Sequence, residues 1–91
     1  MLEICEEMKK FRKYLDDKGI DWDDFSDDYT CRTRFEVSGT TVSVINAPFS
    51  YGGINGLLEA MFWGKNQSEP VGFLTHVTLI RILKKEMKIL K

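Results

Sequence analysis

The stretch that decides the fold is Cys31-Arg32-Thr33-Arg34-Phe35-Glu36-Val37-Ser38-Gly39-Thr40-Thr41-Val42-Ser43-Val44-Ile45-Asn46. Two runs rich in β-branched and aromatic residues flank Ser38-Gly39, a two-residue pair of the kind that closes an antiparallel hairpin. With those two residues as the loop, Val37 opposes Thr40, Phe35 opposes Val42, Thr33 opposes Val44 and Cys31 opposes Asn46, all on one face. That face is expected to pack the core. On the other face Arg32, Arg34 and Glu36 stand against Ile45, Ser43 and Thr41, a polar surface suited to solvent.

Working outward toward the N-terminus, Ile4, Met8, Phe11 and Leu15 recur at helical spacing and predict an amphipathic helix over Leu2 to Lys18, with Gly19 as its stop. Ile20-Asp21-Trp22 reads as a short extended piece suited to an edge strand, followed by an acidic turn. On the C-terminal side, Ala47 to Gly56 reads as a structured loop. Asn55 is placed to cap a short helix through Leu57, Leu58, Met61 and Phe62, which Gly64 ends before a polar loop at Lys65 to Pro70. Thr75 caps a final helix whose face is His76, Leu79 or Ile80, Leu83, Met87 and Leu90. The expected class is α+β: an N-terminal helix, a two- or three-stranded antiparallel sheet built on the Ser-Gly hairpin, then two C-terminal helices, in one domain over residues 1–91.

The chain of 91 residues is 43% hydrophobic and 30% charged, which suits a folded domain with a small core and argues against a disordered tail. Its net charge of −1 gives no global attraction to nucleic acid or anionic lipid. The charge is nevertheless polarised along the chain, with a net −5 over residues 1–30 and +4 over residues 71–91. Cys5 and Cys31 permit at most one bridge, the early glutamates do not resemble a signal peptide, and the longest uncharged stretch is too polar to span a membrane. A cytoplasmic setting is the expectation, with both thiols as small buried hydrophobes.

Three constellations carry candidate chemistry. Seven aspartates fall between Asp16 and Asp28, among them Asp21, Asp23, Asp24, Asp27 and Asp28 beside Trp22. Such a cluster imitates the charge of a phosphate backbone and suits a host protein with a basic groove; the plain alternative is acids solvating a turn. Asn46, Tyr51, Gly52, Gly53 and Asn55 offer amides, backbone donors and a ring for a nucleotide-like small molecule, with Arg32 and Arg34 as anion ligands. The last helix carries Arg81, Lys84, Lys85, Lys88 and Lys91, a basic set able to meet phosphates or simply to stay solvated. His76 is the only histidine, so no multi-histidine metal site exists, and no cofactor or catalytic signature is legible.

Several short signatures, Tyr14-Leu15 through Gly19-Ile20, Tyr29-Thr30-Cys31-Arg32-Thr33, Ser43-Val44-Ile45-Asn46, Tyr51-Gly52-Gly53, Gly56-Leu57-Leu58-Glu59 and Glu69-Pro70-Val71-Gly72-Phe73-Leu74-Thr75, resemble those of a family of small uncharacterised proteins encoded by phages and integrative elements of Gram-positive bacteria. The resemblance implies a protein carried by a mobile element, of the kind that inhibits or evades host defence, and implies no reaction. The expected function is a non-enzymatic binding protein that occupies a host partner through the acidic turn. Sequestration of a nucleotide signal and nucleic-acid binding by the last helix are the alternatives.

Overall fold

Pairing across the Ser38-Gly39 hairpin organises the chain. In the structure, a computed structural model that describes residues 4–64 and 68–90, β2 (Cys31–Val37) and β3 (Thr40–Asn46) pair in the expected register, from Val37 with Thr40 to Cys31 with Asn46. Ser38 (φ 51°) and Gly39 (φ 77°) both hold positive φ, as a type I′ turn requires. Phe35, Val42, Thr33, Val44 and Cys31 are buried on the inward face.

The rest of the sheet corrects the expectation. It has five antiparallel strands in chain order instead of two or three, and one C-terminal helix follows it instead of two. β4 (Leu58–Gly64) occupies the segment expected as a helix from Leu57 to Phe62. Leu, Glu, Ala and Met favour helix, yet seven residues make only about two helical turns. As a strand the same residues close the open edge of β3 and send Leu58, Ala60 and Phe62 into the core. Asn55, expected as a helix cap, instead lies in a 3-10 turn, Gly53–Asn55.

β5 (Ser68–Leu74) replaces most of the expected loop from Lys65 to Pro70, of which 65–67 lie outside the described residues. Pro70 is tolerated because β5 is an outer strand with one hydrogen-bonding edge unpaired. The opposite edge is β1 (Asp23–Asp24), paired with Arg34 and Thr33, so the edge strand begins just after Ile20-Asp21-Trp22.

Both helices cover the inner face. α1 (Glu6–Asp17) buries Met8, Phe11 and Leu15, as the spacing required, and the Phe11 and Phe35 rings meet at 5.9 Å. Leu2, where the helix was expected to begin, lies outside the described residues. α2 (His76–Arg81) begins at Thr75, whose hydroxyl accepts a 3.2 Å hydrogen bond from the Thr78 amide. It continues as a π-helical turn over Ile82–Glu86, and Lys88 at φ 56° follows, so Leu90 sits beyond the helix rather than on its face. Leu79, Leu83 and Ile89 complete the core.

The oppositely charged ends of the chain meet where α1 packs on α2. There the Glu7 carboxylate accepts hydrogen bonds from the His76 amide (2.6 Å) and contacts its ring Nδ1 (2.8 Å). The helices leave the other face of the sheet uncovered, and the functional question turns on that face. It is less solvated than its pattern suggests, because Ser43, Ile45 and Glu59 are buried on it.

Candidate functional site

The burial of Ile45 and Glu59 has a local cause. The loop between β3 and β4 folds back over the outer face, and the Glu59 carboxylate accepts a 3.1 Å hydrogen bond from the Tyr51 amide. Asn46 donates from Nδ2 to the Gly53 and Leu57 carbonyls, and Ser50 bridges Ala47 in both directions. Gly53 lies so close to the Ala47 carbonyl that an added Cβ would sit 1.7 Å from its oxygen. Gly52, at φ 84°, lies against Phe73. The amides of Tyr51, Gly53, Asn55, Gly56 and Leu57 are all engaged within the protein. The structure therefore brings Asn46, Tyr51, Gly52, Gly53 and Asn55 together, but as the framework of a tight loop whose donors point inward. Its outward product is apolar: Tyr51 and Phe73 are each 62% exposed, joined by a Phe73 amide bond to the Tyr51 carbonyl.

Arg32 and Arg34 stand apart from that loop on the same outer face. They line an open groove of about 380 Å³ with Phe25, Ser43, Met61 and Trp63. Alternation along β2 places both arginines outward, because Thr33 and Phe35 take the core positions. Phe25 extends β1 by donating its amide to the Arg32 carbonyl, and the Arg34 guanidinium lies 5.6 Å from the Phe25 ring centroid. Among the described residues neither guanidinium reaches ion-pair distance of a carboxylate. Asp23 is the register partner of Arg34 and yet closes no ion pair with it. The groove thus combines two available cations with two half-exposed rings, Phe25 at 51% and Trp63 at 40%. Trp63 is not legible as a site residue from sequence, because its segment favours helix.

The acidic segment divides by what each carboxylate does. Asp24 accepts from the Ser26 amide at 2.9 Å and from Arg12 at 3.3 Å; its bonds with Ser26, aided by Arg12, hold its carboxyl below the usual range. Asp27 accepts from the Tyr29 and Thr30 amides, both at 2.8 Å, which lowers its carboxyl in the same way. These two acids fold the turn. Trp22 is half-buried, donates to Asp16 at 2.8 Å and stacks under Arg12 at 4.6 Å. Asp21, Asp23 and Asp28 remain exposed, their carboxylates without hydrogen bonds or ion pairs among the described residues.

Arg12 is the residue that sequence reading missed. It is a charged side chain on the buried face of α1, 8% exposed, and besides Asp24 and Trp22 it reaches Thr33 Oγ1 (2.7 Å) and the Arg32 carbonyl (3.2 Å). Its position one residue after Phe11 puts it within the apolar stripe, and that was the only available signal.

The remaining candidates do not converge. Arg81, Lys85 and Lys88 are exposed, Lys84 leans over the Tyr14 ring at 5.8 Å, and Lys91 lies outside the described residues. Cys5 and Cys31 are free thiols, and burial pushes the Cys31 thiol above its ordinary value. Among the described residues no group of three His, Cys, Asp or Glu side chains is arranged to hold a metal ion. No helix there is long and apolar enough to cross a membrane. A groove of about 400 Å³ between α1 and α2 is mainly apolar, and its histidine is already engaged by Glu7. Comparison with protein-family models, curated proteins and solved structures gives no significant match to this chain.

Proposed function

We propose that the protein is a non-enzymatic binding protein that holds a nucleotide-like ligand on the outer face of its sheet. The observation that carries this reading is the pair of unpaired guanidinium groups, Arg32 and Arg34, in one open groove with Phe25 and Trp63. Guanidinium forks match phosphate oxygens in geometry and charge, and aromatic faces take nucleobases by stacking. In this reading the ligand is held and released unchanged. The ligand is the one expected from the Tyr51 loop, but the groove that receives it contains none of that loop's residues.

In the mobile-element setting that the sequence resembles, such a protein acts in the host cytoplasm by withholding a nucleotide signal. The test is titration of a fluorescent nucleoside triphosphate at low salt into the native protein and into an Arg32→Ala/Arg34→Ala variant. We expect the double substitution to weaken binding at least tenfold with unchanged melting. Equal binding by the two proteins would refute the assignment.

The acidic surface supplies a second reading, favoured by the free carboxylates of Asp21, Asp23 and Asp28 on a segment held by its own turns. These acids suit a host protein with a basic groove. Asp21→Asn/Asp23→Asn/Asp28→Asn leaves the turn-forming Asp24 and Asp27 in place, and retention of full inhibitory potency by that variant would exclude the acidic surface.

A further inference from the structure

Resting on the nucleotide reading, we infer that the ligand of the outer face is a single-stranded stretch of nucleic acid, with one base on Phe25, another on Trp63, and the linking phosphates on Arg32 and Arg34. The placement of the rings is the reason. Phe25 extends β1 opposite Arg32, and Trp63 of β4 shares the Glu36–Thr41 row, so their backbones are offset by three strand intervals, about 14 Å, across the sheet and by four residues, about 13 Å, along it. Both side chains nevertheless line one groove, with the two arginines and the Ser43 position between them.

A lone nucleotide engages one ring and leaves the other idle. Two bases stacked on each other as in a duplex strand, about 3.4 Å apart, are also too close to use both rings. Bases splayed from an extended strand satisfy both, and a sheet face bearing aromatics is a recurrent platform for single strands.

The charges around the groove set the path of the backbone. A second groove of about 460 Å³ shares Phe25 and Arg34 with the first and is bordered by Asp21, Asp23 and Glu36, whose carboxylates repel phosphate. The phosphates are therefore drawn to Arg32 and Arg34 and away from these carboxylates. Beyond β4 the same face continues to Phe73 on β5 and to Tyr51, both exposed.

The experiment compares fluorescein-labelled oligothymidylate and oligouridylate of about eight nucleotides with labelled UMP and ATP, by anisotropy, on native protein and on Trp63→Ala, Trp63→Phe and Phe25→Ala. The oligonucleotides should bind at least tenfold tighter than the mononucleotides. Trp63→Ala should weaken oligonucleotide binding about 5- to 150-fold, the range for one lost stacked base, and leave mononucleotide binding on Phe25 unchanged. Trp63→Phe should restore most of the loss, which separates stacking from a folding defect.

The slope of log K against log salt should be near −1.4, as for two phosphates of a single strand. A preference for oligouridylate or for oligothymidylate identifies the strand as RNA or DNA, and either result supports the inference. Equal affinity for mononucleotides and oligonucleotides, with Trp63→Ala silent, would overturn the strand while leaving the nucleotide site intact. Absence of binding by every probe at low salt would overturn both.

Discussion

Replacing Arg12 by alanine should be among the most damaging single changes on the polar side of this protein. Its guanidinium donates to Thr33 Oγ1 at 2.7 Å and to the Arg32 carbonyl at 3.2 Å, two bonds from a charged donor worth about 1.5–3 kcal/mol each. Stacking on the half-buried Trp22 ring adds about 0.5–2 kcal/mol. The bond to Asp24 adds little, because that side chain is 51% exposed and water replaces the lost partner. Thr33 keeps a 3.2 Å contact to the Met8 sulfur, which lowers the cost of stranding its hydroxyl.

With the Thr33 contact keeping the loss near the lower end of these terms, it should be about 3.5–4 kcal/mol, against a total of about 5–14 kcal/mol for a domain of this size. At about 4–8 °C per kcal/mol the melting temperature should fall by at least about 12 °C. Urea unfolding followed by circular dichroism measures the change. Hydrogen exchange should also rise across residues 21–28, since Arg12 ties that segment to α1. Arg12→Lys should recover little, because an ammonium cannot reproduce the fork that serves Thr33 and the carbonyl together. A loss under about 1 kcal/mol for Arg12→Ala, with exchange unchanged in the acidic segment, would refute this account of how the turn is held.

Phe35→Ala should cost about 3–5 kcal/mol, whereas Arg34→Ala, exposed on the opposite face, should cost less than about 1 kcal/mol; the reverse order in thermal melts would contradict the register. Gly53→Ala should destabilise the β3–β4 loop by at least about 2 kcal/mol, since the obstacle is the Ala47 backbone carbonyl rather than a movable side chain, and chemical denaturation against a wild-type control decides it. The Glu7 carboxyl is held below its ordinary value of 4.5 by hydrogen bonds from His76, and the Asp24 and Asp27 carboxyls are lowered similarly. Folded-state values that are depressed give stability present above the unfolded values and lost as pH falls through the folded ones. The melting temperature should therefore drop below about pH 4.5, and Glu7→Gln should shallow that drop; a steeper one would be the wrong sign.

Local signals determined the parts of this protein whose geometry depends on near neighbours. The Ser38-Gly39 pair set the hairpin and its register because only a primed turn matches the twist of the flanking strands, and a one-residue slip would have put Phe35 and Val42 in water. Met8, Phe11 and Leu15 set the buried face of α1, and the Thr75 hydroxyl set the start of α2.

Tertiary structure decided the segments whose preference was divided. Leu57 to Trp63 favours helix residue by residue, and became β4 because β3 offered an unpaired edge and the core needed Leu58, Ala60 and Phe62 from one side. Pro70 and Gly72 look like loop residues until an outer edge and the packed Tyr51 make room for each. The candidate site was only half legible for the same reason. Arg32 and Arg34 follow from alternation along one strand, but Phe25, 7 and 9 residues before them, and Trp63, 31 and 29 residues after them, join them through cross-strand pairing and not through sequence spacing.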